Sequence, residues 1–206
     1  MNATATARPT VAEIAEIVDR AAHMATAIPQ FTTQFELGLD EAYAAQAGSI
    51  EHRLGRGERL VGVKMGLTSW AKMAQVGVDE VIWGRLTDAM VVPDGGVVQR
   101  SRYVHPRVEP EIAFLLGSDI TGPLTSAQAM AAVAAVAPAA EIIDSRYEHF
   151  QFALADVVAD NSSSSGFVVG EWCAPDTPVA NLGIVVDVDG RSEERRVGKE
   201  CVRLCR

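Results

Sequence analysis

His105-Pro106-Arg107-Val108-Glu109-Pro110-Glu111-Ile112-Ala113-Phe114-Leu115-Leu116 is the stretch whose reading decides the rest of the chain. As a strand, its period-two alternation sets Glu109 and Glu111 on one face and Val108, Ile112 and Phe114 on the other. Two carboxylates side by side repel, and partial burial also strips their hydration. They stay ionised together only if a cation or several donors lie between them. Pro110 removes a ladder donor, which points to a sheet edge or a local bulge. A third carboxylate, Glu141, opens the apolar run Glu141-Ile142-Ile143. Three oxygen donors with no clustered Cys or His favour a hard ion, Mg²⁺ or Mn²⁺, over Zn²⁺. The competing reading of a bare Glu-x-Glu is a solvated strand face.

The chain has 206 residues, 48% of them hydrophobic, and a formal charge of −9. That length supports one sizeable core, or one core with a small helical lobe. The acidic balance argues against nucleic acid and against an anionic membrane as partner. The longest Ala/Val run, 129–140, is too short to span a bilayer and contains Pro138. With no secretory start in 1–10, the expected location is the cytoplasm. Cys173, Cys201 and Cys205 are too few for a disulfide framework.

Thr10 followed by Glu13 forms a capping-box pattern, which predicts a first helix from Val11 to about Ala27, before Pro29. A second is expected over Asp40–Leu54, ending near Gly55. Leu60 to Leu67 reads as a strand in which Lys64 faces opposite to Val63 and Met65; alternation alone makes it an outward lysine on a half-buried strand. A short helix is expected over Ser69–Val76. Met90 to Val98, with Pro93-Asp94-Gly95-Gly96 at its centre, reads as a hairpin. Thr125 is expected to cap an Ala-rich helix that runs to about Ala137. Asp160 to Gly166 is a polar loop, either a linker or a binding loop.

Ile184 to Gly190 reads as a strand entering an Asp-Gly turn, yet no returning strand is expected, because Arg191 to Cys201 lacks alternation. Residues 191–206 hold six basic and three acidic residues, a net of +3 against −9 for the whole chain, which leaves −12 for the rest. The tail resembles translated sequencing-adapter read-through. The expected organisation is therefore a helical lobe over 1–58, a catalytic domain over 59–190 and a non-native tail over 191–206.

Four stretches carry a family resemblance: Gly62 to Thr68, Trp83 to Met90, His105 to Leu116, and Asp156 to Asn161. In this order they resemble the hydratase/decarboxylase branch of the fumarylacetoacetate hydrolase superfamily, from about Leu60 to Val186. The resemblance implies an α+β fold: a mixed β-roll with an N-terminal helical lobe, incomplete at the C-terminus. It implies Glu109, Glu111 and Glu141 as Mg²⁺ or Mn²⁺ ligands and Lys64 as the active-site lysine. The hydratases of this branch carry an Asp two residues before the Gly matched by Gly84. Here that residue is Ile82, which cannot activate water and favours decarboxylation in a drier pocket.

The implied reaction is decarboxylation of 2-oxo-3-hexenedioate to 2-hydroxypenta-2,4-dienoate in meta-cleavage degradation of aromatic compounds. The alternatives are a hydratase of that product and, in another class, a non-catalytic fragment. Arg146 and Asn161 are further candidates for holding substrate, with a salt bridge and an Asx turn as their structural alternatives. The implied partners are a small 2-oxo dicarboxylic acid, the pathway hydratase and, at full length, other copies of the chain. Relatives continue past Gly190 by on the order of half a small domain.

Overall fold

The computed structural model describes residues 8–68, 73–74, 80–179 and 183–196. Helix α1 (Val11–Met24) starts at the expected box: the Thr10 hydroxyl accepts from Glu13 N–H at 3.3 Å, and the Glu13 carboxylate accepts from Thr10 N–H at 2.7 Å. Such a cap is worth about 1 kcal/mol. The helix ends earlier than the Ala27 expected, because Ala25 turns left-handed at φ 48 and Ile28 N–H is drawn to Arg146 O at 2.8 Å. Helix α2 (Leu39–Gly55) packs against α1 through Gly48, where an added Cβ would lie 2.8 Å from Ala15 Cβ.

Among the described residues the strands form three sheets, all antiparallel. β1 (Leu60–Gly66) pairs with β2 (Ile82–Thr87). β3 (Pro106–Leu116), β4 (Val133–Asp144) and β5 (Ser164–Val169) form a sheet in that order, with β4 central. β6 (Gly183–Val188) pairs with β7 (Arg191–Arg196). Short helices α3 (Ser126–Ala131) and α4 (Leu154–Ala159) complete the α+β arrangement, and the sheets do not close on one another among the described residues. Parallel contacts are isolated bridges, Ile28 to Tyr147 and Val91 to Phe167. One apolar core joins the N-terminal helices to the body: Ile14 and Val18 of α1 and Ala42 and Ala45 of α2 meet Ile82 of β2, Tyr147, and Val157 to Ala159 of α4.

Four expectations are corrected. The Ala-rich helix stops at Ala131, and residues 133–144 are strand because both sides find partners: β3 along its whole length, β5 and Cys173 on the other side. Pro138 fits in this central strand. Its carbonyl accepts from Gly170 N–H at 2.9 Å, so its missing donor also faces that side, just past the end of β5. The 90–98 stretch is no hairpin. Val92 N–H bonds Phe167 O at 2.8 Å instead, leaving a tight turn at Pro93–Gly96 and Val97 86% exposed. A returning strand does follow the Asp-Gly turn, with Val188 opposite Arg191 and Gly183 opposite Arg196. Backbone pairing alone supplies that ladder; it needs no apolar alternation. The stretch 160–166 is no flexible linker, since Asp160 to Ser164 are all buried. The helix expected over Ser69–Val76 lies largely outside the described residues.

Candidate metal centre

Antiparallel register brings the acidic residues together. Glu109 of β3 is the direct partner of Glu141 of β4, and Glu111 lies two residues along on the same face. One carboxylate oxygen of each lies within 4.8 Å of the others. Like charges directly opposite on a sheet are destabilising, so this arrangement is retained at a cost. Glu141 is 4% exposed, and its partners are half-buried.

Lys64 of β1 reaches across to this sheet and sets its ammonium 3.1 Å from Glu141 Oε2, with both side chains largely buried. Burial raises the Glu141 pKa above the usual carboxylate value; Lys64 and then the neighbouring Ser164 hydroxyl pull it back, and Glu109 pushes it up. Glu141 Oε1 and Ser164 Oγ are both buried without completing a hydrogen bond. A buried acceptor left unsatisfied costs about 1–3 kcal/mol. An oxygen-only donor set with an orphaned carboxylate oxygen fits a hard divalent cation.

The remaining candidates fall in different roles. Ile82 is buried opposite Gly66, on the same face of the hairpin as Lys64, whose partner is Gly84. Arg146 is 3% exposed and committed to the protein: its backbone N–H and Nε donate to the Asp160 carboxylate, Nη2 to Asp160 O at 2.8 Å, and Nη1 to Ser165 Oγ. Even so, burial pushes Asp160 up to about 6. Asn161 is likewise occupied, accepting from Arg85 N–H at 2.8 Å and donating to Arg85 O at 2.9 Å. The structure thus brings Glu109, Glu111, Glu141 and Lys64 together and leaves Arg146 and Asn161 bound to backbone and carboxylate. Ser164 is the side chain that sequence reasoning missed. The run Ser162 to Ser165 was its only signal, and it read as a polar loop, linker or binding loop, with no single serine marked out. A cavity of about 540 Å³, whose lining includes Asp144, Arg146 and Ser165, is lined by none of Glu109, Glu111, Glu141 and Lys64.

Comparison with known proteins adds the chemical context. The family model described as fumarylacetoacetate (FAA) hydrolase C-terminal matches residues 61–204, a span that runs past the expected end near Val186. A 4-oxalocrotonate decarboxylase from Pseudomonas sp is 55% identical over 184 residues, which cover 89% of this chain and 72% of that one. A 2-hydroxypent-2,4-dienoate hydratase from Pseudomonas putida is 36% identical over 170 residues, covering 81% and 77%. The solved 4-oxalocrotonate decarboxylase from Pseudomonas putida G7, complexed with magnesium and adipate, superposes with a TM-score of 0.88 at 38% identity, over 94% of this chain and 74% of that one.

Proposed function

Since the chain belongs to the fumarylacetoacetate hydrolase family, we propose that it decarboxylates 2-oxo-3-hexenedioate (4-oxalocrotonate) to 2-hydroxypenta-2,4-dienoate in meta-cleavage degradation of aromatic compounds. Glu109, Glu111 and Glu141 would hold Mg²⁺ or Mn²⁺, and the observation that carries this reading is their convergence within 4.8 Å beside Lys64. The division into a helical lobe, 1–58, and a catalytic body from residue 59 belongs to the same proposal.

Bound there, a divalent cation supplies Lewis acidity toward the substrate's 2-oxo oxygen. The bond to the distal carboxylate breaks, CO₂ leaves, and the bonding electrons move through the conjugated chain to the 2-oxygen, which takes up a proton. Lys64 meets the developing negative charge at that oxygen and can deliver the proton, because Glu141 holds its ammonium in place at 3.1 Å. The Ser164 hydroxyl, buried beside Glu141, favours the ionised form of that carboxylate. Ile82 sets a buried apolar side chain on the Lys64 face of the β1–β2 hairpin, and that side chain cannot itself activate water for addition. Arg146 and Asn161 support the site rather than touch the substrate.

The test is CO₂ release from 2-oxo-3-hexenedioate by the Mg²⁺-loaded protein, with Lys64→Met as the inactive control. A second reading, hydration of 2-hydroxypenta-2,4-dienoate, is favoured by the 36% identity to a hydratase. Rapid hydration without CO₂ release would select it. Assembly with other copies of the chain, association with the pathway hydratase and a cytoplasmic location complete the proposal. No described helix is long and apolar enough to cross a membrane.

A further inference from the structure

Lys64 and Glu141 stand on different sheets, and no backbone ladder joins β1–β2 to β3–β4–β5 among the described residues. Something else must set their 3.1 Å separation. Among the described residues, the turn Asn161–Ser163 bonds to β2 and leads directly into β5 close to the pair. Its three residues are all left-handed, at φ 50, 50 and 62, a conformation that only outside contacts hold in non-glycine residues. Those contacts lie on β2. Asn161 grips both backbone groups of Arg85, and Ser162 Oγ donates to Trp83 O at 2.8 Å. Between them sits Gly84, the cross-strand partner of Lys64, where an added Cβ would lie 2.4 Å from Asn161 O. The backbones touch at that point, and only glycine allows it.

We infer that Asn161, seated on Gly84, is a positioning residue: it locks the lysine-bearing hairpin onto the glutamate-bearing sheet and so fixes Lys64 against Glu141. Its carboxamide imitates one rung of a β-ladder, and both of its polar ends are used in doing so. It acts through Lys64 and makes no contact with substrate. This rests on the reading of Lys64 and Glu141 as partners in the decarboxylation site.

Two measurements test it. In the metal-free protein, without substrate, Lys64 is acylated by an amine-reactive reagent and followed by mass spectrometry against the other lysines. Asn161→Ala and Gly84→Ala should each speed Lys64 acylation by about threefold or more, and Asn161→Asp, which keeps the acceptor for Arg85 N–H, should do so less. With Mg²⁺ and substrate, Asn161→Ala should lower kcat by about tenfold or more, yet add less than about twofold to the loss already caused by Lys64→Met, as expected of residues acting as one unit. An unchanged acylation rate, or losses that multiply in the double variant, would overturn the inference. Absence of decarboxylation by the parent protein would refute the functional reading alone, because the acylation measurement needs no turnover.

Discussion

Glu141→Gln separates a metal centre from a structural carboxylate. The substitution keeps the side-chain volume at a site 4% exposed and removes one of three negative charges. Without metal the effect on folding is small, because two changes oppose each other. Lys64 loses its partner at 3.1 Å, while a carboxylate whose pKa burial has raised no longer has to be held ionised. With metal the effect is large. At an effective dielectric of about 20, a unit-charge pair about 4 Å apart is worth about 4 kcal/mol. Allowing for the amide oxygen that remains as a donor, a loss of about 3 kcal/mol corresponds to a roughly hundredfold weaker Kd. Unfolding should be followed at a fixed Mg²⁺ concentration of about 100 times the parent Kd. Binding then stabilises the parent by about 2.7 kcal/mol, and the variant, near half-saturation, by about 0.4 kcal/mol. If Glu141→Gln keeps the full Mg²⁺-induced stabilisation, Glu141 is no ligand, and the convergence with Glu109 and Glu111 has another cause.

Asp160→Asn tests the buried pair with Arg146. The carboxyl is raised to about 6 from the ordinary 3.8, so the native chain keeps its proton to higher pH than the unfolded chain, and ionisation erodes stability as pH rises from about 4 to about 6. At 1.36 kcal/mol per pH unit, the variant should gain about 3 kcal/mol on the parent between pH 4 and pH 7 in urea unfolding; an opposite trend would show the ionised pair to be favoured throughout. Gly48→Ala should cost about 1 kcal/mol, because forcing a Cβ to 2.8 Å from Ala15 Cβ outweighs the gain in helix propensity, and Ala15→Gly should relieve the contact. Amides of Val185 to Val188 should be protected from hydrogen exchange together with those of 191–196, and removal of 191–206 should abolish that protection.

What the sequence disclosed depended on whether a signal was local. The Thr10–Glu13 box and the strand at 106–116 rest on neighbours only a few residues apart, and the structure contains both, although burial along β3 does not alternate and Val108 is exposed. Pro110 was informative for the same reason, since its missing donor must face away from a paired neighbour, and β3 is an edge strand of its sheet among the described residues. The run from Val133 to Ala140 misled because alanine's helix preference amounts to less than 1 kcal/mol per residue, and pairing on both sides of a central strand outweighs it. The linker reading of the polar run 160–166 failed in the opposite sense. Polar residues go inside when every group finds a partner, and here Arg146, Arg85 and Trp83 supply most of them.

The approach of Lys64 to Glu141 shows where local reading stops. The two residues are 77 apart, and no periodicity in either strand refers to the other. Register within β3–β4 places Glu109 opposite Glu141, and register within β1–β2 places Lys64 opposite Gly84. Neither ladder fixes how the two sheets meet. That relation depends on a glycine whose lack of a Cβ admits Asn161, and on a left-handed turn formed by residues that disfavour it. Both features conflict with local preference. Gly84 weakens a strand interior, and Asn161 to Ser163 carry strain that a relaxed turn would release. A departure from local preference at two adjacent points of contact, beside three clustered carboxylates, is what a site assembled for chemistry requires, and it is where sequence rules should be expected to fail.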